Sequence, residues 1–111
     1  MDASPQQELV ERLCAIFPAF RSEWQLDQED ATWPSESLHS VYQSFLPFVS
    51  GAKPSVQQLR CLAGLIDGEV ARGGDAENAV ATCLLEHLGQ VGMLPALRPL
   101  LGSEARVRLY S

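Results

Sequence analysis

Long apolar runs are missing from this sequence. A membrane-spanning helix needs about 20 consecutive apolar residues, and the runs here are only a few residues long, so a helical span is excluded. The opening stretch Met1-Asp2-Ala3-Ser4-Pro5-Gln6-Gln7 lacks the basic region and apolar core of a secretory signal, and the expectation is a cytoplasmic protein. Cysteine is scarce: Cys14, Cys61 and Cys83 are odd in number, widely spaced and without a CxxC pair. That excludes a disulfide framework and fits reduced, mostly buried thiols. There is no internal repeat and no low-complexity tract, and 111 residues suit one domain.

Positive charge is also sparse. Eight lysines and arginines face fourteen aspartates and glutamates, and only Arg98, Arg106 and Arg108 cluster. These arginines are better matched to the protein's own carboxylates and a helix C-terminus than to phosphate, so nucleic-acid binding is not expected. Catalytic equipment is thin. HExxH, GxSxG, P-loop and GxGxxG patterns are absent. His39 stands three residues after Glu36, the spacing of a surface ion pair. His87 follows Glu86 directly, so the two point in different directions. Cys83 and His87, one helical turn apart, offer two metal ligands where zinc wants four, or three and a water. A nucleophilic cysteine wants an electropositive setting, which this chain scarcely provides. The expectation is no enzyme, no cofactor and no metal.

What the chain does have is a concentrated acidic window. Between Ser22 and Ala52 stand Glu23, Asp27, Glu29, Asp30 and Glu36, with no lysine or arginine; the remainder is close to charge-balanced, so this window supplies most of the net −6. Trp24 and Trp33 lie inside it. Acidic side chains with apolar anchors suit capture of a basic protein surface and repel nucleic acid and anionic membranes. The competing reading is a solvated connection whose tryptophans pack on the core: Trp24 follows Phe20 by four residues and extends a core stripe, whereas Trp33 precedes a proline and is better placed for exposure.

The punctuation elsewhere is helical. Ser4 and Pro5 supply an N-cap and a first helical position, with Gln7 at capping-box spacing. Leu9, Val10, Leu13, Ile16, Phe17 and Phe20 follow at three- and four-residue steps, and Pro18 must break or restart the helix. A second helix opens near Ser35 or Ser37, carries Leu38, Val41, Tyr42, Phe45, Leu46 and Val49, and closes at Gly51 before Pro54. Ser55 and Gln58 open a third, with Val56, Leu59, Leu62, Ala63, Ile66 and Val70 on its apolar face and Gly73-Gly74 as its stop. Asp75 is read as the cap of a fourth, through Ala79, Val80, Cys83, Leu84, Leu88 and Val91 to Gly89 or Gly92. A short helical turn spans Pro95 to Leu101, and Ser103 to Tyr110 fits another turn or a short strand. The fold class is all-α: a single compact domain of four to five helices with a long acidic connection between the first and second helical segments.

Three stretches carry a resemblance. Phe17-Pro18-Ala19-Phe20 is followed by Glu23-Trp24. Next comes Glu77-Asn78-Ala79-Val80-Ala81-Thr82-Cys83-Leu84-Leu85-Glu86-His87-Leu88, and then Leu101-Gly102-Ser103-Glu104-Ala105-Arg106. In this order they resemble a family of small, acidic, helical bacterial proteins without assigned activity, whose members look like immunity proteins encoded beside secreted polymorphic toxins. The resemblance covers most of the chain through short, mostly apolar motifs. It departs at Thr32-Trp33-Pro34, where the family tends to have Leu-Pro-His. It brings no catalytic residues. Within its motifs Asn78 is expected to bond to its own helix start or a neighbouring loop, and Glu86 to hold Arg106, both as scaffold.

The resemblance implies an immunity protein that neutralises a cognate toxin by direct binding. Toxin domains acting on nucleic acid, nucleotides or NAD present basic clefts that carboxylates can plug in place of phosphates. The partner-binding residues are then Glu23, Asp27, Glu29, Asp30 and Glu36, with Trp24 and Trp33 as anchors and Trp33 the preferred one. The alternative is a helical adaptor or secretion chaperone holding an amphipathic segment, with an apolar groove and a dimer. A small enzyme gathering His39 or His87 with Glu36 or Glu86 is a third class. Monomer and dimer both stay open.

Overall fold

Pro18 interrupts the N-terminal helical pattern and thereby creates a helix that the pattern alone does not announce. The computed structural model of the protein describes residues 4–30, 37–88 and 92–108. Helix α1, Pro5–Ile16, starts where Ser4 Oγ accepts the Gln7 amide at 3.1 Å. The reciprocal half of that box is not made, because the Gln7 side chain donates to the charged Glu11 carboxylate one turn ahead, at 2.9 Å. Phe17 leaves the α region ahead of Pro18, and the chain restarts as α2, Phe20–Asp30.

Helix α2 corrects the expected irregular acidic connection: most of that stretch is helical. Glutamate, glutamine, leucine and arginine are good helix formers, Glu23 in the first turn complements the helix dipole, and Phe20 and Trp24 give the helix a face to bury. Arg21 fastens α2 to α1 through two 2.9 Å bonds to the Glu11 carboxylate, and this hydrogen bonding holds Glu11 below the usual carboxylate range.

Helix α3, Leu38–Ala52, is capped by Ser37, the second of the two predicted starts. It runs through Gly51 and closes at Lys53 with φ +50°, since Pro54 disfavours right-handed α geometry at the residue before it. Helix α4, Val56–Arg72, carries the full capping box: Gln58 N–H to Ser55 Oγ at 3.1 Å, and Ser55 N–H to Gln58 Oε1 at 2.9 Å. Val56, expected on the apolar face, is exposed in the first turn, outside the packed part of the helix. Gly73, with φ +70°, turns the chain directly into α5, Gly74–Cys83, and is its cap; Asp75 lies in the first turn instead. Helix α5 ends six residues before Gly89: a 3-10 turn, Leu85–His87, follows, the tighter winding common at helix ends. Helix α6, Leu94–Leu97, runs into a second 3-10 turn, and Ser103–Arg108 is helix α7 rather than a strand.

The protein is therefore all-α among the described residues, with five helices of ten residues or more and two short ones. Helix α3 packs between α2 and α5, and α4 packs against α1, α5 and α7. Aromatic packing dominates where α1, α2 and α3 meet: Phe20 and Phe45 stand edge-to-face with centroids 5.2 Å apart, and Phe17 and Phe48 flank them. Elsewhere the core is aliphatic, around Leu62, Ile66, Val80, Leu84, Leu88, Leu97 and Leu101. No helix among the described residues is long and apolar enough to cross a membrane.

Candidate functional site

The acidic window resolves into two faces of α2. Glu23, Asp27 and Glu29 are exposed, and Leu26, 55 % exposed, stands among them as an apolar point on a charged surface. Asp27 also accepts a hydrogen bond from Ser44 of α3. On the face away from Leu26, one turn before Asp27, Trp24 is only 8 % exposed and packs on Phe20 with centroids 6.4 Å apart. Its four-residue step from Phe20 puts it on the buried stripe, so its ring packs into the protein's own core. Asp30 closes α2. Trp33 and Glu36 lie outside the described residues.

A second polar region lies where α1, α3, α4 and α5 converge on a cleft of about 550 Å³, with Glu8, His39, Glu69, Arg72 and Asp75 in its walls. Glu69 is almost fully buried, and its Oε1 receives Arg12 Nη1 at 2.6 Å and Arg72 Nη1 at 3.2 Å. Two half-solvated arginines thus compensate one buried carboxylate, which alone would be strongly destabilising. Beneath them Tyr42 is fully buried, and its hydroxyl has no hydrogen-bond partner among the described residues. Burial first, and then the charge of Glu69, push its pKa far above the ordinary phenol value, so it stays protonated. The sequence reading missed Glu69. Its signal was there: Glu69 falls three residues after Ile66, beside Val70 on the apolar stripe, with Arg72 three residues further.

The histidine and cysteine pairings also differ from those that spacing suggests. His39 Nδ1 lies 2.9 Å from Cys83 Sγ, and Asn78 Nδ2 lies 3.5 Å from His39 Nε2. Thr82 Oγ1 in turn donates to Asn78 Oδ1 at 3.5 Å. Cys83 therefore meets His39 across the fold. His87 belongs to the 3-10 turn after α5, so the one-turn helical spacing assumed for Cys83 and His87 does not apply. Burial, and then the charge of Glu86, push the Cys83 thiol up. Arg106, expected on Glu86, instead donates to the backbone carbonyls of Leu101 at 2.9 Å and Pro99 at 3.5 Å, tying down the turn ahead of its own helix. Among the described residues no group of three or more histidine, cysteine or carboxylate side chains is arranged to hold a metal ion.

Fold and site together define, among the described residues, an all-helical bundle with an acidic helix surface on α2 and a polar cleft at Glu69 and His39. No family model, curated protein or solved structure matches the chain.

Proposed function

We propose that the protein is an immunity protein: it neutralises a cognate secreted bacterial toxin by binding it directly and masking a basic active-site cleft. The observation that carries this reading is the outer face of α2, where Glu23 and Glu29 stand one turn either side of the exposed Leu26, with the exposed Asp27 beside it, within a window that has no lysine or arginine. The carboxylates draw the toxin's lysines and arginines into register and speed encounter, and apolar contact at Leu26 adds affinity once water is expelled. Trp24 supports the surface from beneath by fixing α2 on the core. The resemblance of its short motifs to those of immunity-type proteins points to the same reading.

Co-expression with the product of the adjacent gene tests it. The expected result is rescue of growth and a complex that co-purifies at low salt and weakens as salt rises. The triple variant Glu23→Gln, Asp27→Asn, Glu29→Gln should slow association and abolish rescue while leaving the helical content unchanged. A complex whose affinity is indifferent to these three substitutions would remove the acidic face from the mechanism.

A further inference from the structure

Cys83 and His39 come from different helices, 44 positions apart, and the carboxamide of Asn78 stands at the other ring nitrogen. A thiol touching an imidazole, itself held by a third polar group, is the arrangement that activates a nucleophile without a preformed thiolate. We propose that Cys83 is a base-assisted nucleophilic site, with His39 as its base, that takes small uncharged electrophiles into covalent attachment.

The three cysteines supply their own controls. Cys61 is exposed, whereas Cys14 and Cys83 are 5 % and 9 % exposed. Burial pushes both inner thiols up, so a standing thiolate accounts for reactivity at neither, and only Cys83 has an imidazole hydrogen-bonded to its sulfur among the described residues. The reaction couples attack to proton transfer. Sγ forms a bond to the electrophilic carbon, the bond from that carbon to its leaving group breaks, and the leaving group departs with the electron pair. The S–H proton passes to His39 Nδ1 and from there to water.

Accepting that proton requires the tautomer with hydrogen on Nε2. A half-turn of the Asn78 amide places its Oδ1 at Nε2 to receive that hydrogen. The Thr82 hydroxyl, which donates or accepts, then bonds to Nδ2 instead. Asn78 is exposed and has room for this rotation, which makes it a positioning residue. Cys83 is only 9 % exposed, so a charged electrophile would lose its hydration on approach and a small uncharged one is admitted. This chemistry is separate from the α2 surface, and its test needs no toxin.

The experiment treats the folded full-length chain with excess iodoacetamide and reads alkylation of all three cysteines in one sample by peptide mass spectrometry. Cys83 should react at least roughly ten-fold faster than Cys14, and His39→Gln should slow Cys83 by roughly ten-fold or more, the lower range of a general-base contribution, with Cys14 unchanged. Iodoacetate should discriminate against Cys83 relative to Cys61. A Cys83 no faster than Cys14 overturns the proposal. So does a His39→Gln variant in which Cys83 speeds up or stays the same, because an imidazole that merely covers the sulfur would expose it when removed. If glutamine at position 39 loosens the fold, which a rise at Cys14 reports, Asn78→Ala at its exposed position decides. It should slow Cys83 about three-fold or more at constant Cys14 reactivity, and an unchanged Cys83 rate rejects the site.

Discussion

Glu69 and the carboxylates of α2 are the same chemistry in opposite surroundings. Glu23 and Glu29 stand in water on a helix whose packed face is made by Phe20 and Trp24. They cost the fold little and stay available to a partner. Glu69 sits on the packed face of α4 at 1 % exposure and is held by two arginines, from α1 and from its own helix. The first arrangement leaves acidity at the surface, and the second uses it to join α1 to α4. Position relative to the core, rather than residue type, separates the two roles.

The largest effect should come from breaking the buried arrangement. Arg12→Met with Arg72→Met leaves Glu69 buried without a counter-charge, and urea denaturation should show a loss of about 3–5 kcal/mol. Next is the inner face of α2. Trp24→Ala should cost about 3 kcal/mol by the same measurement, as expected for truncating a buried aromatic; a stable Trp24→Ala variant that loses only toxin binding would restore Trp24 as an anchor. On the outer face, Glu23→Gln, Asp27→Asn and Glu29→Gln together should change stability by less than about 1 kcal/mol, mostly through the Asp27–Ser44 bond. The smallest loss should follow from replacing Arg12, Glu69 and Arg72 all with methionine. Removing a buried ion group together with its partners leaves stability within about 1 kcal/mol of the parent or above it, and a large loss there would show that the trio does more than neutralise itself.

Much of the fold was legible because its signals are local. Ser37, Ser55 with Gln58, and the Gly73 stop act within a turn of the chain, and each appears where its chemistry puts it. The break at Pro18 is of the same kind. Helix α2 was read as a connection because its charges hide a short apolar stripe: Phe20 and Trp24 are one turn apart, but the stripe is buried only because Phe45 and Phe48 of α3 pack on Phe20. The start of α5 was displaced from Asp75 to Gly73, since a glycine able to take φ +70° lets the two helices join without an intervening loop. Of the residues expected to meet a partner, Glu23, Asp27 and Glu29 are exposed on α2 and Trp24 is buried, while Trp33 and Glu36 lie outside the described residues.

Caps, helix breakers and charge content follow from neighbours in the chain, so the all-α class, the starts of α1, α3 and α4 and the acidic window could be read from the order of residues. The pairing of His39 with Cys83 and the reach of Arg12 to Glu69 could not. These groups meet only because α3 packs on α5 and α1 on α4, and a contact across 44 or 57 positions leaves no periodic trace in the sequence. It is set by the packing of apolar side chains around it, which is where the chemistry of this protein was decided.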